Sequence, residues 1–329
     1  MLSNDESVRE ALARLLIDRD RTLDGARDPK VADALDRMES EYSFRVVGPG
    51  IEGTLSEALS NESADVLEKV VRPGARPALI VVGDNWIDPQ NSALAERLNR
   101  NRQAIATAIR AVGRIEVRDH PSGYEYVGTG WLFDDDLVVT NRHVATLFAK
   151  RAEDGTGFLF LNNPARRKPV RANIDFREEH DAPEQEEIEI ARILHIDADL
   201  DVAFLRLARA PQGRDPLQSG SLADPRGTEV AAIGYPMNDP RATPPDWLDQ
   251  VFGGIFDVKR LMPGLIDHVA NDLFFHDCST TGGASGSPLI DTTTGQVIGL
   301  HAGAQSGAAG FNFAFPIAVV QAVLSRVKV

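Results

Sequence analysis

Ser279-Thr280-Thr281-Gly282-Gly283-Ala284-Ser285-Gly286-Ser287-Pro288 is the stretch on which the reading of this chain turns. Gly283 and Gly286 flank Ser285, so the backbone can make the tight turn that presents one hydroxyl. A serine hydroxyl is a poor nucleophile at neutral pH until a base takes its proton during attack. Two upstream motifs supply the partners. Thr140-Asn141-Arg142-His143-Val144 closes the apolar run Leu137-Val138-Val139, and Asp201 opens the apolar run Val202-Ala203-Phe204-Leu205. His143 is the candidate base. Asp201 is the candidate carboxylate that fixes the imidazole tautomer and stabilises the imidazolium formed on attack. The turn would also aim the amides of Gly283 and Ser285 at a developing oxyanion, an effect worth roughly 10²–10³ in rate per donor. Asp197 and Asp199 compete with Asp201 for its role, and Ser287 competes with Ser285.

Composition narrows the class. The chain has 329 residues, 43% of them hydrophobic, enough for a large β domain and one additional small unit. Its net charge of −14 argues against a nucleic-acid partner, because phosphate binding needs basic patches. Part of the acidity lies in the stretch 177–187, which is expected to be a solvated loop insertion. The only cysteine, Cys278, can form no disulfide within the chain and reads as a reduced structural thiol. The start Met1-Leu2-Ser3-Asn4-Asp5-Glu6 has no basic and apolar signal pattern, and no run reaches the length of a membrane span. A cytoplasmic protein is expected, with no metal and no cofactor.

The first hundred or so residues have helical periodicity. Apolar positions recur at Val8, Leu12, Leu15 and Leu16, and again at Val31, Leu35, Met38 and Tyr42. A third helix is expected over about 55–71, a short strand over 78–82, and a fourth helix carrying Leu94, Leu98, Ile105 and Ile109. From Val112-Gly113-Arg114-Ile115-Glu116-Val117 onward the pattern changes to short apolar runs broken by Gly, Pro and Asp turns, as in an all-β domain. The boundary is placed at 112, with residues 1–112 as a helical segment that docks on residues 113–329 and regulates them or binds a protein partner. A last helix is expected over about 319–327.

Phe275 to Ala304 resembles the bacterial trypsin-like serine peptidases of the V8, or glutamyl-endopeptidase, kind. The match rests on the Ser279–Pro288 run with Gly299-Leu300-His301. It is extended by Gly128-Thr129-Gly130-Trp131-Leu132-Phe133 and Phe313-Ala314-Phe315-Pro316-Ile317. The order His143, Asp201, Ser285 is the chymotrypsin order. The resemblance implies a mainly β, chymotrypsin-like double β-barrel with a small helical N-terminal segment and a triad in the cleft. It favours Ser285 over Ser287, since the family pattern Gly-X-Ser-Gly-X-Pro fits only the former. It also implies that Thr280 and His301 grip an acidic P1 side chain, with His301 partly protonated near neutral pH. Ser279, at the base of the equivalent trypsin pocket, carries no charge to attract Lys or Arg. Ala284 takes the place of the Asp through which trypsin zymogens are activated, so that route is closed. The rival readings are a silent protease fold used as a binding module and an HtrA-like protease without a PDZ domain. More loosely, Phe252-Gly253-Gly254 and Val258-Lys259-Arg260-Leu261 resemble cytosolic trypsin-like domains of multidomain proteins.

Overall fold

A computed structural model of the protein describes residues 46–48, 51–53, 76–182, 185–238, 245–304 and 311–327. The helices expected over 8–16, 31–42 and 55–71 lie outside these residues. Strands β1 (Val46–Gly48) and β2 (Ile51–Gly53) form a small antiparallel pair. The expected strand near residue 80 is β3 (Leu79–Val82), which turns into β4 (Asn85–Trp86). The expected fourth helix is two helices, α1 (Ser92–Arg100) and α2 (Arg102–Arg110), because Asn101 leaves helical geometry at φ −122°. Asn91 caps α1 by accepting a hydrogen bond from the Leu94 amide at 3.1 Å. Leu98, Ile105 and Ile109 are buried in the same apolar cluster as the strands that follow.

The first barrel begins with β5 (Val112–Arg118), β6 (Tyr126–Asp134) and β7 (Leu137–Thr140), followed by the short helix α3 (Arg142–Thr146). Two side hairpins follow, β8 (Ala149–Arg151) with β9 (Phe158–Phe160) and β10 (Asn162–Asn163) with β11 (Lys168–Pro169). Then β12 (Arg171–Asp175), β13 (Glu187–Ile196) and β14 (Ala203–Leu207) close six strands in the order β12-β13-β14-β7-β6-β5.

The second barrel opens with β15 (Glu229–Gly234), helix α4 (Pro245–Phe252) and β16 (Arg260–Ala270). It continues with β17 (Leu273–His276), β18 (Pro288–Asp291), β19 (Val297–Ala304) and β20 (Asn312–Pro316), and β15 pairs back on β16 to close it. Beyond this barrel β3 adds to β16, with Leu79 opposite Leu261 and Ile80 opposite Arg260. The last helix, α5 (Ile317–Leu324), starts directly after Pro316, two residues earlier than expected. No helix among the described residues is long and apolar enough to cross a membrane.

The acidic stretch 177–187 is solvated only in part: Asp181 is 84% exposed, but other acidic side chains in it turn inward. The Glu179 side chain is fully buried 3.3 Å from the equally buried Lys259 ammonium. Its other oxygen accepts from the Asp84 amide at 3.0 Å. The Lys259 ammonium also donates to the Phe176 carbonyl at 2.8 Å and the Ile109 carbonyl at 3.3 Å. Burial pushes its pKa down to about 8, against the attraction of Glu179. Glu186 pairs with Arg214 at 2.7 Å, and Arg214 donates to the Arg110 carbonyl at 2.6 Å. The cations that neutralise this stretch come from Lys259, Arg214 and Arg114, all distant in sequence, so local charge density misreads it as surface.

Candidate active site

Antiparallel pairing of β7 and β14 sets Thr140 opposite Ala203, which brings the residues just beyond each strand end together. His143 lies on α3 after β7, and Asp201 lies two residues before β14. Asn141, at the start of α3, donates its side-chain amide to the Asp201 carbonyl at 2.9 Å. The Asp201 carboxylate accepts from the His143 amide at 2.9 Å and lies 2.7 Å from His143 Nδ1. His143 Nε2 lies 2.6 Å from Ser285 Oγ. Burial alone would raise the Asp201 pKa, but the His143 charge and hydrogen bonds outweigh it and hold the carboxyl below its usual value. Asp201 is therefore ionised at neutral pH.

The three rivals lie elsewhere: the carboxylate on His143 is that of Asp201, and Asp199 lies in the turn that Asp197 holds. Asp197 spends one oxygen on the amides of Asp199 and Leu200, both at 2.9 Å, and the other on His195. It stabilises its own turn. The Ser287 hydroxyl donates to the Ala284 carbonyl at 2.6 Å and packs over Gly234, where a Cβ would come within 2.0 Å of it.

Two consecutive turns carry Ser285. The Ala284 amide donates to the Thr281 carbonyl at 3.1 Å and the Ser287 amide to the Ala284 carbonyl at 3.0 Å. Gly283 and Gly286 hold the third positions at φ 84° and 85°, a region that favours glycine. Packing forbids a side chain as well: a Cβ on Gly286 would sit 2.1 Å from the Thr129 carbonyl oxygen, and one on Gly283 2.4 Å from that of Tyr235. Thr129 clamps the loop from β6. Its amide donates to the Ser285 carbonyl and its hydroxyl to the Gly283 carbonyl, both at 2.8 Å. Among the described residues the amides of Gly283 and Ser285 donate to no group, so both are free to meet a negative oxygen beside Ser285.

Ser279, Thr280 and His301 are all buried in the wall behind this loop. The Ser279 hydroxyl donates to the Arg76 carbonyl at 2.7 Å and that of Thr280 to Asn312 Oδ1 at 2.8 Å. The His301 backbone braces the loop, its amide donating to the Ser287 carbonyl at 2.9 Å and its carbonyl accepting from Gly286 at 3.1 Å. Its Nδ1 lies 3.2 Å from His276 Nε2, while His301 Nε2 and His276 Nδ1 are buried with no hydrogen-bond partner among the described residues. Burial, helped by the nearby His143, pushes the His301 pKa down to about 3. The expected partial protonation near neutral pH is therefore corrected. His301 is a neutral imidazole, because the Phe313 backbone and the Asp201 charge offset only part of the desolvation.

Residues 128–300 match the family model for the trypsin-like peptidase domain, more than half of the chain. The chain belongs to the trypsin-like peptidase family. The matched domain is that of a trypsin-like peptidase, a hydrolase of peptide bonds. No curated protein matches it. Among solved structures, a serine endoprotease from Yersinia pestis is 21% identical over 68% of this chain and 65% of its own, with a TM-score of 0.46. The Deg5 structure is 24% identical over 69% of this chain and 93% of its own, also at 0.46.

Thr129 and Asn141 lie inside the sequence motifs, but their roles in holding the loop and Asp201 emerge only from the fold. Glycines on both sides of Thr129 were a usable signal, since they let the β6 backbone approach the loop. Asn312, which holds Thr280 and also donates to the Cys278 carbonyl, carried none.

Proposed function

We propose that this peptidase cuts protein substrates through His143, Asp201 and Ser285. The observation that carries the proposal is the unbroken polar line from Asp201 through His143 to Ser285, at 2.7 and 2.6 Å. As Ser285 Oγ attacks the scissile carbonyl carbon, its proton passes to His143 Nε2, and Asp201 stabilises the imidazolium. The amides of Gly283 and Ser285 receive the oxyanion. His143 then gives the proton to the leaving amine, and a water molecule activated by the same imidazole hydrolyses the acyl-enzyme.

Three finer readings belong to the same proposal. The V8-like preference is for an acidic P1 side chain, read by Thr280 and by His301 Nε2, whose lack of a partner among the described residues supports the assignment. The setting is the bacterial cytoplasm. A single buried thiol, Cys278, with its pKa pushed up to about 12 by burial, suits a reducing compartment. Residues 1–112 dock on the peptidase domain 113–329 and regulate it. Support comes from β3 on β16 and from Asp84, 3.5 Å from Arg214 and 3.7 Å from Arg177.

The test is labelling by a fluorophosphonate, with peptide hydrolysis measured in parallel. The parent should label, and Ser285→Ala should lose labelling and at least about 10³ in rate. A dead Ser287→Ala beside an active Ser285→Ala would overturn the assignment.

A further inference from the structure

The turn that carries the Gly283 amide is held between the barrels by groups that none of the catalytic steps above uses. Tyr126 from β6 lies against it. A Cβ on Gly283 would come 3.2 Å from Tyr126 Cε2 and 2.9 Å from Met237 Cγ. On the far side, the Met237 amide donates to the Gly282 carbonyl at 2.5 Å, and the Thr281 hydroxyl donates to the Met237 carbonyl at 2.8 Å. Residues 281–283 are thus wedged between a ring of the first barrel and a backbone segment of the second.

Asp257 ties the two walls together. Its amide donates to the Pro236 carbonyl at 3.0 Å, and its carboxylate accepts from the Tyr126 hydroxyl at 2.5 Å. Its carbonyl accepts from Arg114 Nη1 at 2.8 Å. Asp257 makes these contacts at φ 64°, a backbone conformation uncommon for a residue with a side chain. The Arg114 guanidinium lies 4.8 Å above the Tyr126 ring centre, completing the frame. Arg114 is itself fixed by Glu116 at 2.5 Å and Glu178 at 3.0 Å. These two carboxylates and that of Asp175 lie within 4.8 Å of one another. Arg114 is the cation that makes their proximity tolerable.

We infer that Tyr126 and Asp257, backed by Arg114, are positioning residues that set the oxyanion turn by clamping it across the barrel interface. The inference rests on the reading of Gly283 as an oxyanion donor. A turn that presents its amide through two type-II-like bends is sensitive to small rotations, and an oxyanion donor acts only within a narrow distance range. The clamp contacts the turn and its backing strand but neither His143 nor Ser285 Oγ. Its loss should therefore reduce transition-state stabilisation without disarming the nucleophile.

The experiment compares the full-length parent with Tyr126→Phe, Asp257→Ala and Asp257→Asn. Active sites are counted by fluorophosphonate titration, and hydrolysis uses a fluorogenic peptide selected from a library spanning all P1 residues. Tyr126→Phe should lower kcat per titrated site about tenfold while KM moves less than twofold, and affinity for a matching peptide boronate should fall in parallel. Asp257→Ala should do the same, whereas Asp257→Asn keeps an acceptor for the Tyr126 hydroxyl and should recover most of the rate. A kcat per titrated site within twofold of the parent in both Tyr126→Phe and Asp257→Ala overturns the inference. So does a loss confined to the titre and the melting temperature. Failure of the underlying reading looks different: the parent itself would not label, or Ser285→Ala would stay active.

Discussion

In the cleft, three polar side chains meet at 2.6 and 2.7 Å, and the imidazole between them keeps 23% of its surface exposed. Behind the barrels, Lys259 and Glu179 meet at 3.3 Å with nothing exposed. Both networks join chain segments far apart in sequence, yet they are built for opposite ends. On the proposed mechanism the first moves a proton each cycle, and its imidazole is left within reach of a substrate. The second must never move. It closes the gap between the 175–187 loop, the β3–β4 turn and the start of β16, and every partner is drawn inward. The contrast lies in the group between the charges: the imidazole stays partly exposed, while its buried partner Asp201, like Lys259 and Glu179, is held in place.

The sharpest way to break this contrast is to damage each network and read both activity and stability. His143→Ala should remove at least about 10³ of kcat/KM, since on the proposed mechanism it deletes the base for attack and the acid for the leaving group. Thermal unfolding should stay within a few degrees of the parent, because a partly exposed side chain at the cleft leaves no large void. A melting temperature lowered by ten degrees or more would show that the cleft network is structural too.

Lys259→Met is expected to behave the other way round. It leaves Glu179 buried without its cation, a loss of about 3–5 kcal/mol when one partner of a buried pair is removed. Urea unfolding gives the measurement. Active sites that remain folded should retain parental kcat, and pairing the change with Glu179→Leu should recover much of the stability, because two apolar groups leave no charge unpaired. A single variant as stable as the parent would mean that the pair contributes nothing net.

A smaller effect is visible in pH alone. The folded pKa of Lys259 is about 8 against an ordinary 10.5, so between these values the unfolded chain binds more protons than the folded one. Stability from this group therefore rises with pH across that window and is lost as pH falls through it. The difference in unfolding free energy between parent and Lys259→Met should widen from pH 8 to pH 10. A difference that stays constant or narrows would place the lysine's folded pKa near its ordinary value.

The two networks also differ in how far they could be read in advance. His143, Asp201 and Ser285 sit where short-range signals converge: an apolar run ending at a turn, an acid opening a strand, a serine between glycines. Each signal is local, and their order added the long-range information. The β-barrel pattern was legible for the same reason, since short apolar runs between turns repeat along the chain. Lys259, Arg214 and Glu179 had no such signal, because a buried ion pair is defined by a partner 80 residues away. The α1–α2 break at Asn101 was also hidden, since Leu94, Leu98, Ile105 and Ile109 keep a helical phase across it.

The smallest predicted effect tests the pocket wall, where the chemistry of His301 decides the outcome. A protonated histidine would attract a P1 glutamate through charge, and the preference would climb as pH falls towards 6. A neutral imidazole whose Nε2 carries the hydrogen offers one donor, which both Glu and Gln can accept. The carboxylate makes the stronger bond by about 1 kcal/mol or slightly more, so kcat/KM should favour Glu over a matched Gln peptide only about tenfold. Because kcat/KM reports ionisation in the free enzyme, the ratio should stay level from pH 8 to pH 5.5, well above the His301 value of about 3. His301→Ala should bring the ratio near one while leaving fluorophosphonate labelling intact. A ratio that climbs steeply on acidification would mean that bulk water reaches this wall and that His301 titrates there. Equal rates for Glu and Gln in the parent would remove His301 Nε2 from substrate recognition altogether, and its missing hydrogen-bond partner would then need a different explanation.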